Sequence, residues 1–151
     1  MSNGHAKGSE FERVIAKLIV KAFKHHGIEQ SECWRSVMSG GHEMSSGDLR
    51  MSDRLTNLFP YVPECKFHKK IIWRNFWLHP SYMQPCKEQR WLVQAAEGAA
   101  KHSRGLAWIL VVKENRSEIF AVYETIRHGL VVAPFEHFLL NRVRQCDKVR
   151  K

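Results

Sequence analysis

The sequence contains one place where an acidic residue and a lysine are separated by a single position, Glu64-Cys65-Lys66. Residues 59–67 are predicted to be extended, and side chains alternate between the two faces of a strand. Glu64 and Lys66 are therefore expected to project together, while Cys65 points into the other layer. A carboxylate that binds a divalent cation, beside an ammonium group that orients water and stabilises developing charge, suits hydrolysis of a phosphodiester. The alternative is an exposed Glu–Lys pair on an edge strand.

A second carboxylate, Asp48, follows a loop that is rich in glycine and serine, residues 39–47. We expect a short strand over residues 48–51 to bring Asp48 beside the triplet as a second metal ligand. The small polar residues of the loop, Ser39 among them, can approach a phosphate backbone closely through their N–H groups and hydroxyls. An ordinary surface loop is the alternative interpretation.

An amphipathic segment, residues 9–26, predicts a helix that positions a third carboxylate. Ser9 is a candidate N-cap with Glu12 as its capping-box partner, and Gly27 is expected to end the helix. Apolar residues recur at helical spacing and define a core face. Glu12 lies on the flank of that face, where its side chain can reach the edge of a sheet. Glu10 is the competing candidate, and a simple capping role is the alternative for Glu12.

The rest of the chain predicts a mixed β-sheet flanked by helices. Strands are expected over residues 33–38, 48–51, 59–67, 106–113 and 118–124, and further helices over residues 88–102 and 135–141. The last two strands should pair antiparallel, and Pro60 and Pro63 favour an edge position for the third. Residues 67–90 mix aromatic and basic side chains and give no assignable pattern. The order α-β-β-β-α-β-β-α, in a single domain of 151 residues, belongs to the α/β class.

The order of the candidate residues resembles the PD-(D/E)xK nuclease superfamily, in which a helix-borne Glu, an Asp and an E-x-K surround one or two divalent ions. The matching positions are Glu12, Gly47-Asp48, Glu64-Cys65-Lys66 and Gln94. The short chain and its opening, Gly8-Ser9-Glu10-Phe11-Glu12-Arg13, are most similar to archaeal-type Holliday junction resolvases and their small phage-encoded relatives. This resemblance covers about residues 8–124. Gly47 stands where the superfamily often has proline, and the stretch 67–90 is longer than a compact resolvase needs.

The resemblance implies a restriction-endonuclease-like αβββαβ core with a short C-terminal helix, and a Mg²⁺-dependent endodeoxyribonuclease in which Mn²⁺ substitutes. Asp48 and Glu64 would bind the metal, together with the carbonyl of Cys65. Glu12 would complete the site, directly or through a metal-bound water. Lys66 would position the nucleophilic water or stabilise the transition state.

Further residues are implied to contact the substrate. Gln94 would steady the lysine or the scissile phosphate, and Arg13 could contact phosphate; a plain surface residue is the alternative for both. Lys69, Lys70 and Arg74 directly follow the metal-binding strand, where DNA must pass, although basic stretches are usually solvated surface. The aromatic residues among them could stack on unpaired bases, but core packing or a subunit interface would also account for them.

The overall charge agrees with a polyanionic partner. The chain has 24 Lys+Arg against 15 Asp+Glu, a formal charge of +9, although ribosomal-type and membrane-surface proteins share this property. Residues 142–151 form a basic tail that should add salt-dependent affinity for DNA. The resemblance favours branched DNA, above all a four-way junction. Because resolution of a four-way junction needs two symmetric cuts, this substrate also implies a C2 homodimer.

The four widely spaced cysteines form no CxxC motif, so we expect reduced, buried thiols in a cytosol rather than disulfides or a zinc site, even with nine histidines. Residues 14–23 are apolar, but two lysines interrupt them and they are too short to span a membrane. We therefore expect a cytoplasmic protein, in the host cytoplasm if phage-encoded, without a membrane partner. The alternative functions are a nuclease of the same chemistry with a nicking, restriction-type or end-processing substrate, and a DNA-binding module without catalysis.

Overall fold

A computed structural model describes residues 3–36, 47–78 and 85–149. It confirms the α/β class, with a mixed sheet flanked by helices. The elements are α1 (Asn3–Ala22), β1 (Cys33–Arg35), β2 (Leu49–Met51), α2 (Asp53–Leu58), β3 (Tyr61–His68), α3 (Lys87–Ala100), β4 (Ala107–Glu114), β5 (Ile119–Thr125), β6 (Gly129–Pro134) and α4 (Phe135–Val149). The predicted loop with Ser39, and the end of the strand predicted over residues 33–38, lie outside the described residues.

The principal sheet has four strands in the order β3-β4-β5-β6. β3 runs parallel to β4, and the other neighbours are antiparallel. β3 is thus an edge strand of this sheet, as the prolines predict. The Pro63 carbonyl points away from β4, toward Asp48. Because the N–H and C=O of a strand residue point the same way, the missing N–H of Pro63 costs the β3–β4 ladder no hydrogen bond.

Helices cover both faces of this sheet, and β4 shows why its sequence is continuously apolar. Ile109 and Val111 pack into the core beneath α1 and α4, whereas Leu110 and Val112 pack into the core beneath α3. A strand buried on both faces needs apolar residues at every position. The short β1–β2 hairpin is antiparallel and joins β3 through Asp48.

The first helix differs from its prediction at its N-terminal end. It begins at Asn3, so Ser9 lies inside α1 and the predicted N-cap role is wrong. Ala6 and Lys7 are good helix formers, so the helix continues past that capping signal despite Gly4 and Gly8. At the other end the chain tightens into a 3₁₀ turn, Lys24–His26, and Gly27 ends it with φ of 77°, as predicted.

The C-terminal part is more structured than the sequence indicates. The final helix extends to Val149, so most of the predicted basic tail is helical. Phe138, Leu139 and Val143 recur at helical spacing and are buried against α1 and the sheet, which explains the extension. Strand β6 and helix α2 were not predicted; α2 is capped by Ser52, whose hydroxyl accepts the Leu55 N–H at 3.1 Å.

Among the described residues, no helix has the length and apolar character needed to cross a membrane.

Candidate active site

Asp48 lies at the open edge of β3. Its backbone N–H donates to the Pro63 carbonyl at 3.0 Å, and its Oδ2 accepts a hydrogen bond from the Cys65 N–H at 2.7 Å. Asp48 thereby satisfies backbone groups that would otherwise pair with a further strand. The side chain is buried, and Oδ1 has no hydrogen bond to any described residue.

Gly47 allows this close approach. Its φ is +71°, and a Cβ at this position would lie 2.5 Å from Cγ1 of Val62 and 2.7 Å from the Pro63 carbonyl oxygen. Both the backbone conformation and the space therefore require glycine. The glycine that replaces the superfamily's proline has a steric reason in this protein.

Glu64 and Lys66 project from the same face of β3, as strand alternation predicts. The Lys66 Nζ donates to Glu64 Oε1 at 2.8 Å, and Glu64 is only 4% exposed. The Cys65 side chain packs into the opposite core with α1. The triplet is therefore not an exposed surface pair.

Glu12 reaches the same region from α1, where its carboxylate accepts a hydrogen bond from Nε of Arg35 on β1. The side chain of Glu12 is largely buried, and Asp48 and Lys66 are close enough to influence its ionisation. Glu10, the competing candidate, is exposed and pairs with Arg13 at 3.2 Å. Sequence analysis missed Arg35; the one available signal was a charged residue on a predicted strand.

The carboxylates share an environment that disfavours their charge. Burial raises the pKa of Asp48 against the opposing influence of the Cys65 N–H and Lys66. Burial, followed by the charge of Asp48, raises the pKa of Glu64. Burial also raises the pKa of Glu12, although Arg35 opposes it. Converging carboxylates with raised pKa values are typical of functional sites.

This donor set fits a hard divalent cation. Mg²⁺ prefers oxygen ligands, and Asp48, Glu64 and Glu12 offer carboxylate oxygens near enough to influence one another's ionisation. Their mutual repulsion would be relieved by a cation between them. The chemistry of these ligands thus fits such an ion, and Lys66 contacts Glu64.

Gln94 lies on α3 and is exposed, without a hydrogen bond to any described residue. One turn further on, Gly98 comes so close to Gly47 that an added Cβ would lie 3.3 Å from the Gly47 N atom. Residues four apart lie on the same side of a helix, so Gln94 is on the side of α3 that faces the segment leading to Asp48.

The predicted DNA-contacting residues lie on the surface near β3. Lys69, Lys70 and Arg74 are exposed, as is Arg13 on α1. Ser39 lies outside the described residues. The arrangement leaves these cations accessible to a polyanion.

The aromatic residues divide between core and surface. Trp73 and Phe76 pack into the core beneath α3, and the Trp73 ring lies 5.0 Å from that of Phe120. Trp77 is 54% exposed. The buried carboxylate of Glu88 holds this segment by accepting hydrogen bonds from the Ile72 N–H at 3.0 Å and the Asn75 amide at 2.9 Å. Core packing therefore accounts for Trp73 and Phe76.

The mixed α/β fold, with a four-stranded sheet flanked by helices, is consistent with a PD-(D/E)xK nuclease. The model of a family described as "Phage putative PDDEXK endonuclease" matches residues 3–147, and the chain belongs to this family. The family implies DNA as substrate, and PD-(D/E)xK nucleases typically depend on a divalent metal. Comparisons with curated proteins and with solved structures found no match.

Proposed function

We propose that the protein is a Mg²⁺-dependent, structure-selective endonuclease that makes paired, symmetric nicks in four-way DNA junctions. The observation that carries the nuclease chemistry is the convergence of Asp48, Glu64 and Lys66 at the exposed edge of β3. The two carboxylates are buried, and the ammonium group is hydrogen-bonded to one of them. A DNA-binding module without catalysis would have no need of this costly arrangement.

Asp48 and Glu64 would hold the metal directly, and the carbonyl of Cys65 would supply a further oxygen. When bound, Mg²⁺ activates water and neutralises the charge that develops on the phosphate. Asp48 suits this role because Cys65 fixes its orientation through Oδ2 and leaves Oδ1 for a ligand. Glu12 would complete the site, with Arg35 holding its carboxylate in place.

Lys66 would act beside the metal ligands. Its ammonium group has three hydrogens, of which Glu64 accepts one at 2.8 Å. The remaining hydrogens can orient the attacking water or a phosphate oxygen, and the positive charge stabilises the transition state. Gln94, on the side of α3 nearest Gly47, would steady the same phosphate.

The basic surface would guide the substrate to this edge. Lys69 and Lys70 follow β3 immediately, and Arg74 lies in the anchored segment beyond them. Arg13 would bind phosphate beside Glu12, on the first helix. Because such contacts release counterions, binding should weaken steeply with salt.

The junction substrate rests on the similarity of residues 8–13 to the corresponding segment of resolvases. One chain carries one candidate site, so paired cuts would require a C2 homodimer. The rival substrates are linear duplexes or DNA ends, as expected of a nicking, restriction-type or end-processing enzyme of the same chemistry.

The test is cleavage of a labelled four-way junction in Mg²⁺, beside a linear duplex and a single strand of the same sequence. Paired symmetric nicks in the junction alone are expected, with none for Lys66→Ala. Equal cutting of the duplex would overturn the junction assignment and leave the nuclease chemistry intact. Tight, salt-dependent binding without cleavage in Mg²⁺ or Mn²⁺ would overturn the proposed catalysis.

A further inference from the structure

A second group of metal-ligating side chains lies where the end of α1 meets α4. His25 and His26 belong to the 3₁₀ turn after α1, and Asp147 is in the last turns of α4. One ligand atom from each of the three lies within 4.8 Å of the other two. None of these residues contributes to the candidate active site, and Glu12 lies about 20 Å away along α1 by helical rise.

Two of the three separations between the ligand atoms match a four-coordinate site. The Nε2 atoms of His25 and His26 lie 3.3 Å and 3.1 Å from the same oxygen, Oδ1 of Asp147. Tetrahedral zinc with bonds of about 2.0–2.1 Å separates its ligand atoms by about 3.3 Å. Two imidazole nitrogens and one carboxylate oxygen form a common ligand set for this ion, and water can occupy the fourth position.

The burial of the residues supports both function and access. The His26 side chain is only 1% exposed, whereas those of His25 and Asp147 are 53% and 47% exposed. The buried histidine is thus held in place by the fold, and the other two ligands open the group to solvent. A metal can enter without unfolding the protein.

The two histidine rings are oriented alike toward Asp147. Both Nε2 atoms lie near the same carboxylate oxygen, with the ring centroids 4.1 Å apart. Neutral imidazoles can donate their Nε2–H groups to this oxygen, or they can share a cation with it through unprotonated nitrogens. The same geometry thus serves a hydrogen-bonded state without metal and a metal-bound state.

We propose that His25, His26 and Asp147 bind Zn²⁺, or a similar divalent transition metal, in a structural site that clips the end of α1 to α4. Imidazole favours these ions over Mg²⁺, so the site would take a different metal from the acidic site. Binding would stabilise the folded chain, because the three ligands are brought together only in the folded state.

The experiment is a Zn²⁺ titration of metal-stripped protein by calorimetry and thermal unfolding, with excess Mg²⁺ present to occupy the oxygen-ligand site. We expect one Zn²⁺ per chain and a rise in Tm of about 5–10 °C when free Zn²⁺ is about 100 times Kd. Asp147→Asn and His25→Gln should each lose this binding. The exposed residues His128 and Asp53 provide matched controls, His128→Gln and Asp53→Asn, which should keep it.

Equal Zn²⁺ binding by the wild-type protein and both site variants would overturn the proposal, as would the absence of binding by the wild-type protein. The proton NMR resonances of the His25 and His26 rings give an independent readout in the wild-type chain. They should shift on addition of Zn²⁺; rings that remain unchanged would leave only an ion pair.

Discussion

The Asp48 carboxylate accepts a hydrogen bond from the Cys65 N–H at 2.7 Å, so a candidate metal ligand is tied to the strand that carries the other one. Asp48 also donates its own N–H to the Pro63 carbonyl. Since β3 has no other neighbour on this side among the described strands, Asp48 takes the place of a strand partner there. The same residue thus orders the edge of the sheet and presents an oxygen at the site.

Asp48→Asn should abolish cleavage and stabilise the metal-free protein. An Asn oxygen can still accept the Cys65 N–H, but the substitution removes a buried charge that lies near Glu64. A gain of about 1 kcal/mol would raise Tm by roughly 2–4 °C for a chain of this size. Junction binding should be unchanged or tighter, because one negative charge near the phosphates is gone. Thermal unfolding in EDTA, a cleavage assay and a binding titration measure the three effects.

Asp53→Asn is the control for this substitution, because Asp53 is almost fully exposed and pairs only at the surface with Arg104. It should change neither stability nor cleavage appreciably. If Asp48→Asn retained cleavage, Asp48 would not be a metal ligand. If it lowered Tm in EDTA, buried charge would not be the dominant cost at this position.

Gly47→Ala should destabilise the protein and reduce cleavage strongly. A left-handed φ costs alanine about 1 kcal/mol, and the added methyl would also press against Val62 and the Pro63 carbonyl. Because relief of this collision would move Asp48 away from β3, we expect cleavage to fall at least about 100-fold. Chemical denaturation and initial cleavage rates give the two values.

Gly105→Ala is the matched control, because Gly105 has φ of +60° and no atom within 4 Å of the added Cβ. Gly105→Ala therefore has the cost of the left-handed φ but no steric contact of the added methyl group. Equal losses of stability in the two variants would show that the contact with β3 is unimportant.

Glu12 and Arg35 should be energetically coupled. Removing Arg35 alone leaves a largely buried carboxylate without its hydrogen-bond donor. Glu12→Gln together with Arg35→Met also removes the buried charge, so this cost disappears. We expect a coupling energy of about 0.5–3 kcal/mol in a double-mutant cycle measured by denaturation. Arg35→Met should also slow cleavage, since Glu12 loses its fixed orientation. Additive effects of the two substitutions would contradict a coupled pair.

The sequence permitted prediction of the features that follow from local periodicity. Strand alternation was enough to place Glu64 and Lys66 on one face and Cys65 on the other. The apolar run in β4 identified a strand buried on both faces. Gly47 correctly indicated an irregular backbone directly before a short strand. In each case neighbours in the chain determine the outcome.

The missed features depend on residues that are distant in the chain. The role of Arg35 depends on its hydrogen bond to Glu12, which belongs to another element. The conformation of residues 71–78 depends on the Glu88 carboxylate of α3, which accepts hydrogen bonds from the Ile72 N–H and the Asn75 amide. The length of α4 likewise depends on the surface that α1 and the sheet offer to Phe138 and Val143. Such partners are defined by tertiary packing, which a local pattern does not contain.

Glu88→Gln should lower stability at neutral pH and have little effect in acid. Although burial alone would raise the pKa of Glu88, hydrogen bonds from Asn75 and the Ile72 N–H lower it. A lowered carboxyl pKa adds stability above the ordinary value, about 4.3, and this stability is lost as pH falls through the folded value. The variant should therefore be less stable by about 1–3 kcal/mol at pH 7, and its unfolding curve should approach that of the wild type below about pH 4. Urea denaturation between pH 3 and pH 8 measures the difference, and a gap that does not depend on pH would show that the charge of Glu88 does not hold residues 71–78.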